Sequence, residues 1–103
     1  MSEGVIQQTG ATANTPSLAS STTAIAANAA RIGWSIQNQG TNPLYIRLGA
    51  SASTTVFHVC LKAAGAQDDG TGGLWSQMEG VVWTGVISIA GTSPRYTALE
   101  IAP

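Results

Sequence analysis

His58 and Cys60 are the two residues of this chain with the most obvious chemical potential. They lie two apart in an alternating segment, so a strand there places both on one face. A thiolate beside an imidazole is an activated nucleophile. On a strand, however, the rise per residue separates their Cβ atoms by about 6–7 Å, which is long for direct contact. No third orienting group is in view. His58 is the sole histidine. No Gly-x-Ser-x-Gly elbow accompanies it, so a serine triad has no foundation either. Two liganding residues on one strand fall short of the four that a structural zinc site takes, which leaves only a site shared between subunits as the metal alternative. The expectation is a strand histidine packed on a neighbour. Cys60 cannot form an internal disulfide, because it is the single cysteine. Its apolar surroundings predict a buried free thiol.

Asp68-Asp69-Gly70-Thr71-Gly72-Gly73 is the most ligand-like stretch. Oxygen ligands on a glycine-rich loop suit Ca²⁺. The alternating acids and terminal glutamate of an EF-hand are missing, as is the Gly-Lys-Ser/Thr of a phosphate loop. A solvated, flexible turn is the favoured reading. The aromatic residues divide by pattern. Trp34 alternates with Ile32 and Ile36 and belongs to the core. Trp83 lies in a β-branched run and reads as core or interface. Trp75, between the glycine-rich loop and Ser76-Gln77, is expected to be exposed. An exposed Trp stacks on a sugar ring or anchors a protein contact, and without a neighbouring acid–amide cluster the protein contact is favoured. The chain is therefore read as not an enzyme, with no catalytic residue, no cofactor and no metal ligand.

The elements that would position these residues are strands. Apolar residues recur with period 2, and β-branched and aromatic types occupy those positions. Thr23-Ala24-Ile25-Ala26 is a short candidate strand. Arg31 to Gln37 puts Ile32, Trp34 and Ile36 on one side, with Arg31, Gly33, Ser35 and Gln37 on the other. Asn38 to Pro43 is rich in turn formers. Leu44 to Leu48 follows, with Leu44, Ile46 and Leu48 on one face. Two alternating strands about such a turn predict a hairpin burying Ile32, Trp34, Ile36, Leu44, Ile46 and Leu48 on one sheet face. Val56 to Lys62 predicts another strand, with Phe57, Val59 and Leu61 opposite His58, Cys60 and Lys62. Ala64 to Gly73 is a loop, and Leu74 to Met78 a short edge segment. Val81 to Ile89, broken by Gly85, is one bent strand or two. Arg95 to Ala102 closes the domain, with Thr97, Leu99 and Ile101 on one face. No window supports a helix. Turns every 8–12 residues or so are the spacing of a sandwich. The fold class is all-β: a β-sandwich of about seven strands, jelly-roll or Greek-key-like, over residues 24–103.

Residues 1–23 differ in kind. They are small and polar, with Val5, Ile6 and Leu18 the large apolar exceptions. Such a segment cannot offset its ordering entropy by apolar burial. It reads as an extended N-terminal arm, with Val5 to Thr9 able to add a strand to another sheet. Backbone hydrogen bonds to a neighbouring sheet edge or loop are the means of holding it, so the arm is expected to cross a subunit boundary. Val5, Ile6, Leu18 and Trp75 are the candidate interface residues.

The chain has 103 residues, suited to one domain, with 44% hydrophobic but only 9% charged residues and a net charge of −1. An average soluble domain carries about 25% charged residues. A surface hydrated by Ser, Thr, Asn and Gln loses little solvation when it docks against protein, since few ions are stripped of water. The four basic residues, Arg31, Arg47, Lys62 and Arg95, form no cluster, which disfavours nucleic acid. No run approaches the roughly 20 apolar residues of a membrane helix. Met1-Ser2-Glu3 leads into no basic, apolar leader pattern, so synthesis in the cytoplasm is expected.

The segments Asn38 to Gly49, Phe57 to Lys62, Asp68 to Gly73 and Trp83 to Thr97 together resemble a group of small β-sandwich virion structural proteins of tailed bacteriophages, of the head decoration or cement type. The similarity covers about two-thirds of the chain, from Arg31 to Ile101, and is one of strand-and-turn pattern. It implies a non-catalytic virion protein. The expected role is a capsid decoration protein stabilising the head through its arm and oligomer contacts. The expected partners are the major capsid protein or another virion protein and further copies of itself, as trimer or dimer. The alternative is a carbohydrate- or receptor-binding module of a fibre or tail, with Trp75, Tyr45 and Tyr96 as its aromatic platform. With no chemical role assigned to His58, H58A is expected to cost some stability and no binding function. Loss of function in a folded H58A protein would reverse that assignment.

Overall fold

The computed structural model describes residues 7–14, 22–78 and 80–103. Among these residues there are strands, turns and loops but no helix. The strands are β1 (Gln7–Asn14), β2 (Thr22–Ile25), β3 (Gly33–Asn38), β4 (Leu44–Leu48), β5 (Val59–Leu61), β6 (Leu74–Met78), β7 (Ile87–Ala90) and β8 (Arg95–Ala102). They form two four-stranded antiparallel sheets, ordered β1-β8-β3-β6 and β2-β7-β4-β5. Every connection except β4 to β5 passes from one sheet to the other. This order is the eight-stranded jelly roll, a double Greek key. The expected sandwich of about seven strands is β2 to β8, and β1 from the arm adds one more.

The core lies between the sheets. Trp34, Ile36, Tyr96 and Ala98 face inward from the first sheet, and Ile25, Leu44, Ile46, Leu61, Ile87 and Ile89 from the second. β7 is buried on both sides, because the loop after β4 folds over it. Ser88 faces that loop, donating from Oγ to the Gly49 carbonyl at 2.6 Å and accepting from the Ala52 amide at 3.0 Å. Double burial explains why this part of the sequence reads as a nearly continuous apolar run.

Several expectations need correction. β3 and β4 are not a hairpin: β3 pairs with β6 and β8, and β4 with β5 and β7. Trp34, Ile36, Leu44 and Ile46 are fully buried, but on two facing sheets, while Ile32 and Leu48 are only half-buried. Alternation reports which side of a strand is buried. It does not report whether two consecutive strands pair or face each other across a core. Arg31, placed outward by alternation, is buried. The strand at Val56 to Lys62 shrinks to β5. Phe57 lies exposed against Tyr45, with ring centroids 4.8 Å apart and planes at 61°. Val81 to Val86 is loop, and only β7 remains of that predicted strand. Thr97, Leu99 and Ile101 do share a face, the outer one, while Tyr96 and Ala98 fill the core. Residues 7–14 of the arm lie on the chain's own β8, in register from Gln7–Ala102 to Asn14–Arg95, not on a neighbour. The division at residue 23 falls inside β2.

The arch from β3 to β4 is held by Asn38, which is fully buried. Its Nδ2 donates to the carbonyls of Asn42, Leu61 and Lys62 at 2.8, 3.3 and 3.1 Å, and its Oδ1 accepts from the Gly40 amide at 2.9 Å. One amide side chain thus closes the turn and joins it to the end of β5. Gly72 passes so close that a Cβ would sit 1.9 Å from the Asn38 carbonyl oxygen, so only glycine fits. Replacing Asn38 by Ala leaves the Gly40 amide without its acceptor and takes a donor from three carbonyls, of which that of Lys62 keeps the Gly73 amide, and an unpaired buried polar group costs about 1–3 kcal/mol. N38A is expected to lose about 3 kcal/mol in a denaturant melt. N38D, which turns a carboxylate onto three carbonyls, is expected to lose more at neutral pH than N38A. Equal stability of N38D and the parent would contradict this role for the arch.

Candidate functional site

Of the three tryptophans, Trp34 falls in the core where its sequence neighbours place it, and Trp75 does not fall outside. Trp34 is fully buried, and its Nε1 donates to Gln77 Oε1 at 3.1 Å. Trp75, expected outside, is half-buried on the inner side of β6 and packs edge-on against Trp34, with centroids 5.1 Å apart and planes at 84°. Trp83 is the outward one, 40% exposed in the loop between β6 and β7. Beside it in the groove lies Val81, 75% exposed, and at the end of β6 Met78 is 51% exposed. A shallow, open groove of about 280 Å³ runs among Leu48, Gln77, Gly80, Val81, Val82 and Trp83. The sequence hides this patch because Val81-Val82-Trp83 has the composition of a buried strand.

An apolar loop that projects into water needs its backbone held. Arg31 does most of that. Its Nη1 donates to the carbonyls of Trp83 at 2.7 Å and Gly85 at 3.0 Å, and its Nη2 to the carbonyl of Ala26. Its Nε donates to Glu100 on β8 at 2.8 Å. The Arg31 side chain has no solvent exposure and that of Glu100 has 21%. Other groups complete the frame. The Asn28 amide donates to the Thr84 carbonyl, and the Trp83 amide to Gln77 Oε1, the same oxygen that receives Trp34. Trp83 Nε1 donates to the Val86 carbonyl at 2.9 Å. The Trp83 ring lies across Gly85, where a Cβ would come within 2.6 Å of a ring carbon. Trp83 is presented in one defined orientation, at little further entropic cost to a partner.

The outer face of the first sheet continues the uncharged surface. Cross-strand rows run Ile101–Gly33–Met78, Leu99–Ser35–Ser76 and Thr97–Gln37–Leu74. Leu74 is 61% exposed. Further along β8, Arg95 meets Asp68 in a bidentate pair at 2.7 and 2.6 Å. That contact lowers the Asp68 pKa and raises that of Arg95, by side-chain hydrogen bonding first.

The ligand-like loop is tied down through its own carboxylates. Asp69 Oδ1 accepts from the Thr71 amide and hydroxyl, and Oδ2 accepts from the Ala66 amide. The Thr71 hydroxyl is the chief cause of the lowered Asp69 pKa, with its amide next. Gln37 Nε2 donates to the carbonyls of Gly70 and Gly72. Gly72 and Gly73 serve close backbone approach, Gly70 takes a left-handed turn, and the aspartates bind donors of the protein itself. The loop is thus a fastened corner, where a flexible turn was expected. Among the described residues, no three His, Cys, Asp or Glu side chains converge to hold a metal ion.

Cys60, expected to be buried, is exposed on β5, a short edge strand that has only β4 beside it. His58 closes the loop before β5: its amide donates to the Ile46 carbonyl, and its Nδ1 accepts from the Leu48 amide at 3.0 Å. No hydrogen bond joins Cys60 to His58 among the described residues. Of the proposed aromatic platform, Tyr96 is buried, with burial raising its pKa, while Trp75 packs on Trp34 and Tyr45 on Phe57. Val5, Ile6 and Leu18 lie outside the described residues. Comparison with protein-family models, with curated proteins and with solved structures found no match.

Removing one partner of a buried ion pair costs about 3–5 kcal/mol, because the other polar groups are left without compensation. R31A is expected to fall in that range in a denaturant melt. E100Q leaves the three carbonyl contacts of Arg31 in place and is expected to cost less. If R31A melts with the parent, Arg31 does not fasten the loop that carries Trp83.

Proposed function

We propose that this protein is a non-catalytic structural module that docks on a larger protein assembly, as a decoration or cement protein on the head of a tailed bacteriophage. The observation that carries the docking role is the rigid apolar loop. Val81 and Trp83 stand in water on a backbone fastened by Arg31, Asn28 and Gln77. Anchors at protein interfaces are such residues: a large aromatic, fixed before binding, beside aliphatic neighbours. The surrounding surface suits the same use. Arg31 and Arg95 are both taken up by internal pairs, so two of the four basic residues contribute little outward charge. A partner desolvates few ions on meeting such a surface.

The virion setting is supported by the resemblance of strand-and-turn pattern and is compatible with the jelly roll, an architecture that viral capsid domains share with lectins and cupins. Architecture alone does not assign a function. A carbohydrate-binding module is less favoured, because Trp75, Tyr45 and Tyr96 are each packed against or within the protein. On a head, each copy stabilises the shell by binding the assembled state only.

Heads lacking this protein, incubated with the purified chain and pelleted, measure occupancy directly. W83A and V81D are expected to weaken binding about thirtyfold, the effect of losing about 2 kcal/mol at an interface anchor. Their melting temperatures are expected to stay within a few degrees of the parent. Full occupancy by folded V81D would remove the loop as the docking element. Absence of the protein from heads at any concentration would remove the head assignment.

A further inference from the structure

Gln77 stands at an inward position of β6, opposite Trp34 in the β3–β6 pair. Its Oε1 accepts twice from within the protein, from Trp34 Nε1 at 3.1 Å and from the Trp83 amide at 2.9 Å. Two donors fill both lone pairs of an amide oxygen. They also fix the sense of the amide: the oxygen is turned to the two N–H groups, and Nε2 lies on the other side. Among the described residues Nε2 has no hydrogen-bond partner. Gln77 lines the groove together with Leu48, Val81, Val82 and Trp83, and no charged side chain lines it. The Trp83 indole N–H is already given to the Val86 carbonyl. The groove thus has apolar walls and one side chain still open to hydrogen bonding, which can donate and cannot accept.

We infer that the groove takes an extended segment of the partner protein, seating one aliphatic side chain against Leu48, Val81 and Trp83 while an adjoining backbone carbonyl accepts from Gln77 Nε2. The inference rests on the docking role proposed above and names what the Trp83 loop docks on. In the open groove Nε2 is hydrated. A partner that covers it removes that water, and a covered N–H without an acceptor loses its hydration uncompensated. The partner must therefore bring an acceptor. A carboxylate does not suit, because it would lose its water among apolar walls, and Arg31 has no solvent exposure and is taken up by internal contacts. Sugar hydroxyls bring donors as well as acceptors, and Oε1 has no lone pair left to receive them. A peptide carbonyl is neutral, only accepts, and stands beside every side chain of an extended segment. The size agrees. At about 280 Å³ the groove falls short of the roughly 300–1,000 Å³ of a drug-sized ligand site. One side chain with its peptide unit is a smaller occupant than such a ligand.

Q77E isolates the donor. A carboxylate keeps an acceptor for Trp34 Nε1 and the Trp83 amide, and it puts an oxygen where Nε2 stood. The melting temperature is expected to stay within a few degrees of the parent, while occupancy on heads lacking the protein is expected to fall about tenfold or more. Full occupancy by folded Q77E, where V81D is lost from the heads, overturns the carbonyl contact and leaves the docking role standing. Full occupancy by both variants removes the docking role as well. A second measurement needs neither heads nor a variant. The full-length parent is titrated with N-acetylleucine methylamide and followed by nitrogen–proton spectra. The Gln77 Nε2 protons are expected to move downfield together with a shift of the Trp83 Nε1 resonance. Movement of Trp83 alone overturns the inference, as does the absence of any shift up to the solubility limit of the fragment. Shifts caused by methyl glucoside and not by the fragment assign the groove to a sugar and overturn it too. So do shifts of both resonances on concentrating the protein alone, which assign the groove to a second copy. Should Q77E not fold, the titration of the parent decides alone.

Discussion

A guanidinium without solvent exposure needs a partner for nearly every N–H, and where Arg31 finds its partners organises much of this molecule. They come from three places that the chain visits far apart: Ala26 after β2, Trp83 and Gly85 before β7, and Glu100 on β8. β2 and β7 belong to one sheet and β8 to the other, so a single side chain ties both layers at one end of the sandwich. A lysine, with one charged nitrogen, cannot reach all of these at once. The planar fork of arginine can. Burying the charge is costly, and the cost is offset only while the contacts hold together.

Asn38 does related work for the arch between β3 and β4. Its amide offers two donors and an acceptor at a point where three carbonyls and one amide converge. Neither residue enlarges the apolar core. Each satisfies backbone groups that a chain passing repeatedly between sheets leaves without ladder partners. Almost every connection in this topology makes that passage, so such devices are as necessary as the core itself. The Asp68–Arg95 pair and the Asp69–Thr71 turn fasten a third corner in the same manner.

These internal uses of charge bear on the surface. The sequence has few charged side chains, and several of them are turned to partners within the fold. The outer face of the first sheet and the Trp83 loop are left to be hydrated by hydroxyls, amides and backbone. Such a surface meets another protein with little desolvation, provided its apolar groups are already in position. Arg31 is what positions them. Its burial and the exposure of Trp83 are two ends of one arrangement, which links the stability of the domain to the proposed docking.

Some of this was legible in the chain itself. Period-2 alternation identified β3, β4 and β8 closely, and turn-forming clusters marked the boundaries. Together they implied an all-β sandwich of about the observed size. The same alternation named Trp34, Ile36, Leu44 and Ile46 as core. What could not be read locally was pairing. Whether β3 and β4 zip into one sheet or face each other across the core leaves the same alternation in the sequence. The decision rests on Asn38 meeting carbonyls 23 and 24 residues away. Arg31 looked like the polar side of a strand because its partners lie 52, 54 and 69 residues on. Trp75, read as exposed, lies half-buried, and Trp83, read as core or interface, is the outward one, for a related reason: side-chain type reports affinity for an interior, whereas the amide and guanidinium contacts of the folded chain decide which tryptophan is held outside it. Local sequence determined the strands and which of their residues favour burial. The tertiary structure alone decided which strands are neighbours and which apolar residues stay in water, because those outcomes depend on hydrogen bonds between residues remote along the chain.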